Sequence, residues 1–166
     1  MTRRMRIDDL LALTVPSQPA ISPDGARIAY VLGGNDAAAD SGVSALWLTD
    51  ASGAPSALTH GTTDRSPAFS PDGATLAFQR DGQLWTLPLS GGEPTQLTTL
   101  PLGAGAPIWS PDGTRIAFIA PVDGDATADE TDADRTARSG APIVSDGVGY
   151  QADGSGFLRG MRMHRA

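Results

Sequence analysis

Cysteine is absent from these 166 residues, which excludes a disulfide framework or a thiolate metal site and leaves the redox compartment open. Lysine is absent too. All 12 basic residues are arginines, set against 19 acidic ones for a net charge of −7. An acidic chain without a basic stripe lacks the cations that phosphates require, which argues against a nucleic-acid partner. No apolar run approaches the roughly 20 residues of a membrane span. The basic start Met1-Thr-Arg-Arg-Met-Arg6 meets Asp8 and Asp9 at once, and Leu10-Leu-Ala-Leu13 is too short for a signal-peptide core before Pro16. The expectation is a cytoplasmic chain with no membrane partner, long enough to bury an adequate core.

What is present is a sentence written three times: Pro19-Ala-Ile-Ser-Pro-Asp-Gly-Ala-Arg-Ile-Ala-Tyr30, Pro67-Ala-Phe-Ser-Pro-Asp-Gly-Ala-Thr-Leu-Ala-Phe78 and Pro107-Ile-Trp-Ser-Pro-Asp-Gly-Thr-Arg-Ile-Ala-Phe118. The spacing of roughly 40–50 residues, built of short strands and turns, is that of a β-propeller blade. Ser22-Pro23-Asp24-Gly25, Ser70-Pro71-Asp72-Gly73 and Ser110-Pro111-Asp112-Gly113 each suit a type I turn. Serine is favoured at the first corner, proline presets φ at the second, aspartate tolerates the third, and glycine takes a positive φ at the fourth. Each motif thus joins a short strand to a longer one. The longer strands are Arg27-Ile-Ala-Tyr-Val-Leu32, Thr75-Leu-Ala-Phe-Gln79 and Arg115-Ile-Ala-Phe-Ile119. They put large residues on one face (Ile28 and Tyr30, Leu76 and Phe78, Ile116 and Phe118) and Ala29, Ala77 or Ala117 on the other. Apolar residues on both faces mean both faces are covered.

A third strand is expected at Ala45-Leu-Trp-Leu48 and Gln83-Leu-Trp-Thr-Leu87, then Ser52-Gly53 or Ser90-Gly91 turns, then a fourth at Pro55–Thr59 and Pro94–Thr98. Four short strands make a blade. The fold class read here is all-β, a partial propeller of antiparallel four-stranded blades, about two and a half of them, after a short N-terminal helix over residues 7–14. Residues 1–16 form the helical segment and 17–166 the propeller, with blade 1 at 17–60, blade 2 at 64–100 and an incomplete blade 3 at 107–166. Residues 122–139 hold Asp123, Asp125, Asp129, Glu130, Asp132 and Asp134 against Arg135 and Arg138, which reads as a solvated, mobile acidic insertion. The Leu-Trp strand that would continue blade 3 is not found, and the chain reaches Met161-Arg-Met-His-Arg-Ala166 near where it belongs.

Candidate chemistry is sparse. There is no Gly-x-Ser-x-Gly elbow, and neither His60 nor His164 has a motif-placed serine and aspartate. Asp24, Asp72 and Asp112 could be imagined as a metal ring, but turn chemistry explains them better. The acidic stretch lacks the residue order of an EF-hand. Trp47, Trp85 and Trp109 fall at strand positions suited to core packing, and Arg3, Arg4 and Arg6 to a solvated terminus. No catalytic, cofactor-binding or metal residue is assigned, and no cofactor is expected.

The repeated Ser-Pro-Asp-Gly-x-x-(Ile/Leu)-Ala-(Tyr/Phe) resembles the propeller repeat of TolB-like proteins and of the prolyl oligopeptidase family of serine peptidases. The opening Ile7-Asp-Asp-Leu-Leu and the segment Tyr150-Gln-Ala-Asp-Gly-Ser-Gly-Phe-Leu158 narrow the likeness to the acylaminoacyl-peptidase and dipeptidyl-aminopeptidase branch. The chain departs at Ser145-Asp-Gly-Val-Gly149, where that branch tends to carry basic residues. The resemblance implies an N-terminal propeller that screens peptide substrates for a C-terminal α/β-hydrolase domain. It also implies that these residues are the first third or less of such a propeller, a partial product inactive alone, with peptide as partner only in the full-length enzyme. The alternative is a TolB-like module for protein–protein interaction. Either way, open blade faces and edges lead one to expect self-association or marginal stability.

Overall fold

The computed structural model describes residues 4, 6–50, 52–123, 131, 133–134, 136–137, 151–152, 156–157 and 161–165. A short helix, α1 (Ile7–Leu11), opens it. The Arg6 N–H donates to the Asp9 carboxylate at 2.8 Å, so a free donor at the helix start is met from within the first turn. The helix is shorter than residues 7–14 because the chain is already extended at Val15, where β1 (Val15–Ile21) begins. Among the described residues no helix is long and apolar enough to cross a membrane.

Two four-stranded antiparallel meanders follow. The first runs β1, β2 (Arg27–Asp36), β3 (Ser41–Asp50) and β4 (Ser56–Ala57) in sequence order. The second repeats it with β5 (Arg65–Phe69), β6 (Thr75–Arg80), β7 (Gln83–Pro88) and β8 (Thr95–Gln96). The first strand of each sheet carries an irregularity at the same repeat position, between Ser17 and Ala20 and between Arg65 and Ala68. Gln18 and Ser66 take φ of 49° and 54° there. These bulges send the chain on into Pro19 and Pro67, whose missing N–H costs the ladder nothing at an irregularity. The Gln18 side chain accepts the Ser66 N–H at 2.6 Å, so the two bulges are tied to each other.

The third unit begins alike and then diverges. β9 (Ile108–Trp109) pairs with β10 (Ile116–Ala117), and the Gly105 N–H reaches the Ile119 carbonyl at 2.7 Å. The strand expected at 115–119 is therefore split, and its continuation β11 (Ile119–Asp123) runs into the stretch read as an insertion. Between β11 and the last strand lies a short hairpin, β12 (Gln151–Ala152) with β13 (Gly156–Phe157). β11 pairs antiparallel with β14 (Met161–Arg165), from Ile119 opposite Arg165 to Asp123 opposite Met161. A strand thus lies where a Leu-Trp strand was not found, because backbone pairing needs no Leu-Trp signature. Most of the acidic stretch 122–139 lies outside the described residues, as does Ser145–Gly149. Within it, however, Thr131 and Asp134 cap each other: the Asp134 carboxylate takes the Thr131 N–H at 3.1 Å and the Thr131 oxygen takes the Asp134 N–H at 3.2 Å.

The core lies between the first two sheets and has a direction. Ala29, Val31 and Leu46, with Leu48, form the small-residue face of the first sheet; they pack on Leu76, Phe78 and Leu87, with Phe69 and Trp85, of the second. In the second sheet Ala77 on the opposite, small-residue face is again 0% exposed, with the third unit beyond it. Small face meets large face at each joint. In the third sheet Ala117 holds the same repeat position but is exposed. Enlarging Ala29 to Leu should therefore wedge the joint and cost about 1–3 kcal/mol, whereas Ala117→Leu in dilute solution should change stability by less than about 0.5 kcal/mol. Urea unfolding of both variants checks this, and equal losses would contradict the stacking direction.

Candidate functional site

The repeated Ser-Pro-Asp-Gly corners form three copies of one small network. Ser22 Oγ donates to Asp24 Oδ1 at 2.5 Å and accepts the Arg27 N–H at 2.9 Å, while Asp24 Oδ1 accepts the Ala26 N–H at 3.0 Å. Ser70 with Asp72, Ala74 and Thr75 repeats this at 2.5, 3.0 and 2.9 Å. Ser110 with Asp112, Thr114 and Arg115 does so at 2.5, 3.1 and 2.9 Å. The closing glycines Gly25, Gly73 and Gly113 have φ of 73°, 69° and 70°, the left-handed region that a side chain resists. The prolines Pro23, Pro71 and Pro111 hold the second corner. In a meander these turns share one end of the sheets with the Ser-Gly turns. The opposite end carries the turns between second and third strands and the connections from one sheet to the next.

That opposite end holds the densest polar chemistry, and its centre was not singled out from the sequence. Asp64 is fully buried in the connection between the first two sheets. Its carboxylate accepts Arg80 Nε at 2.7 Å and Nη2 at 2.9 Å, and also the Thr59 hydroxyl. Thr59 Oγ1 in turn accepts the Leu46 N–H at 2.9 Å. The Asp64 hydrogen bonds hold the Arg80 proton more tightly than usual, and the guanidinium lies 5.3 Å from the centroids of both the Phe78 and Trp85 rings. Gly61 is confined as well, because a methyl group there would overlap the Asp64 carboxylate. Next door, Asp81 at φ 51° and Gly82 at φ 71° make a two-residue hairpin turn of the primed type that Asp-Gly favours. Thr63 Oγ1 donates to Asp81 Oδ1 at 2.6 Å, and the Ala104 N–H donates to the Gly82 carbonyl at 2.7 Å. One turn is thereby fastened to the connections before and after its own sheet.

The joint between the second and third sheets serves the same need with neutral groups. Thr98 Oγ1 accepts the Leu84 N–H at 2.9 Å and donates to Gln83 Oε1 at 2.8 Å. Gln83 then bridges the Leu100 N–H at 2.9 Å and the Leu100 carbonyl at 2.8 Å. Trp109 crosses the joint, donating Nε1 to the Ala68 carbonyl at 3.1 Å, and Gln79 donates to the Ala104 carbonyl at 2.5 Å. Trp85 packs on the core, and Trp47 is half-buried in β3.

Beside Asp64 runs a groove of about 470 Å³ lined by Thr59, His60, Thr63, Arg80, Asp81 and Glu93 among others. The turn aspartates do not converge: they belong to three separate corners. Among the described residues no group of three or more His, Asp or Glu side chains is placed to hold a metal ion. His60 is exposed, and the side chain of His164 lies outside what is described.

The family described as the lipoprotein LpqB β-propeller domain matches residues 5–135. An uncharacterised peptidase of Bacillus subtilis (strain 168), YuxL, is 36% identical over 96% of this chain and 25% of its own length. This chain thus spans about a quarter of that relative. Among solved structures, the acylaminoacyl peptidase of Pyrococcus horikoshii superposes with a TM-score of 0.71 over 93% of this chain and 23% of that one, at 18% identity. A putative TolB from Agrobacterium tumefaciens gives 0.51 over 69% of this chain and 40% of that one, at 26% identity.

At the three corners the serine hydroxyl first, then the N–H two residues on, hold Asp24, Asp72 and Asp112 below the ordinary 3.8. A carboxylate that binds its proton less readily folded than unfolded stabilises the fold fully above 3.8 and loses that contribution as pH falls through its lower folded value. Replacing all three by alanine should lower the melting temperature at neutral pH and flatten its fall between pH about 5 and about 2. An unchanged acid limb in thermal melts would contradict the assignment.

Proposed function

Because the chain belongs to the family of the lipoprotein LpqB β-propeller domain, we propose that it works as the propeller portion of a peptidase, non-catalytic by itself. In the full-length enzyme it would gate peptide substrates and help bind them for an α/β-hydrolase domain. The observation that carries this reading is the 36% identity to a peptidase sustained over 96% of the chain while covering 25% of the relative. The groove beside Asp64 supports it. His60, Asp81 and Glu93 offer polar contacts to a peptide, and the two joints hold the neighbouring turns rigid enough to discriminate by size. A second reading, a TolB-like module that binds a protein partner, draws on the 26% identity to the Agrobacterium protein.

Assay of the purified chain on aminoacyl and acyl-peptide chromogenic substrates separates these readings from an enzyme. The expected result is no turnover above buffer, whereas turnover that purifies with the chain would overturn the proposal. Short peptides should bind weakly and compete with one another, and Glu93→Ala should weaken that binding. Capture of one stoichiometric protein partner without peptide binding favours the second reading.

A further inference from the structure

Every aspartate–glycine bond carries a latent rearrangement. The glycine nitrogen attacks Cγ of the neutral side-chain carboxyl, water leaves, and a succinimide ring closes. Water then reopens the ring at one of its two carbonyls. Cleavage at Cγ restores aspartate. Cleavage at the former main-chain carbonyl leaves isoaspartate, with the backbone rerouted through Cγ. Nothing but water enters or leaves, so the fold alone decides which of these bonds reacts.

Among the described residues the pair occurs as Asp24-Gly25, Asp72-Gly73, Asp81-Gly82 and Asp112-Gly113, and the aspartate is exposed each time. Access of water therefore does not separate them, but hydrogen bonding does. At the three corners the nucleophile is occupied: the N–H groups of Gly25, Gly73 and Gly113 donate to the carbonyls of Ser22, Ser70 and Ser110 at 2.8, 2.8 and 2.9 Å. The electrophile is occupied too, since Oδ1 of each corner aspartate accepts both the serine hydroxyl and the N–H two residues on. Those bonds also keep the corner carboxyls ionised to lower pH, and the ionised form has no water to expel.

Asp81-Gly82 differs on both counts. Among the described residues nothing accepts the Gly82 N–H. Its carboxylate is held by one side chain, the Thr63 hydroxyl at 2.6 Å. We propose that, of these bonds, Asp81-Gly82 is the one at which the folded chain forms isoaspartate, with Thr63 restraining the reaction. The consequence falls on the joint. The Asp81 N–H donates to Thr63 Oγ1 at 2.9 Å, and the Gly82 carbonyl accepts the Ala104 N–H at 2.7 Å. Isomerisation lengthens the backbone between those two groups by one atom and turns the Asp81 carbonyl into a free carboxylate. The turn then no longer meets both connections in its original register.

Warm incubation of the whole chain at neutral pH, below its melting temperature, tests this. Digestion follows with a protease that cuts before aspartate but not before isoaspartate, so each site is read separately. Loss of cleavage should grow at Asp81 and stay at its starting level at Asp24, Asp72 and Asp112. In urea, with the hydrogen bonds gone, all of these sites should lose cleavage. Thr63→Ala, shown to be folded by its melting curve, should speed the loss at Asp81 by about two- to tenfold, the worth of one hydrogen bond. Asp81→Asn and Asp72→Asn give a second reading by mass, because asparagine follows the same path with ammonia leaving. The first should deamidate in the folded protein well before the second, and urea should abolish the difference. Corners that age as fast as Asp81 in the folded chain overturn the proposal. So does an Asp81 that reacts in urea but not when folded, or a folded Thr63→Ala variant that ages there no faster.

Discussion

The N–H of a buried leucine on the third strand of each sheet sets the terms for much of the rest. Leu46 is fully buried and Leu84 nearly so, and in each sheet the fourth strand is paired over only two residues. A buried donor left without an acceptor costs about 1–3 kcal/mol. The Thr59 and Thr98 hydroxyls supply the acceptor. A threonine that accepts must still place its own proton, which calls for an acceptor in the connection or the neighbouring turn. At the first joint that is Asp64, and a buried carboxylate in turn requires Arg80. At the second it is Gln83, and no charge is needed. A small backbone requirement thus propagates into the network that binds one sheet to the next.

Directional stacking is the second consequence of repetition. Because each sheet shows alanine on one side and large residues on the other, two sheets fit in one order only, and the stack has two different ends. The corners keep this order in register: Pro23 lies over Gly73 and Pro71 over Gly113. A glycine with a left-handed backbone serves both the turn and the close approach of the next turn. Repeat architectures are built this way, each unit completing its neighbour, and the match to the LpqB β-propeller family fits a chain made of such units.

The propeller repeat and the strand order were legible in the sequence because they depend on local rules: turn residues at fixed offsets and alternation along strands. Asp64 and Arg80 were not, because their pairing joins two repeats and occurs only once, so no periodicity announces it. Leu58-Thr59 and Leu97-Thr98 do repeat, yet threonine in a strand reads as an ordinary β former, and its role appears only when the strand ends early. The positive φ at Gln18 and Ser66 ran against expectation too, since a residue before proline prefers extended backbone. The hydrogen bond from Ser66 to Gln18, across sheets, holds it there. The pairing of β14 with β11 was not legible because a search for Leu-Trp is a search for core packing, whereas that pairing is made by backbone.

A double-mutant cycle on Asp64→Asn and Arg80→Met, read by urea unfolding, tests the joint most directly. Removing Arg80 alone should cost about 3–5 kcal/mol by stranding a buried carboxylate. Removing both should cost less than the two single losses together, with a coupling of about 1–3 kcal/mol. Additive losses would contradict the account, since Asp64 and Arg80 would then act independently and the joint would be held by something else.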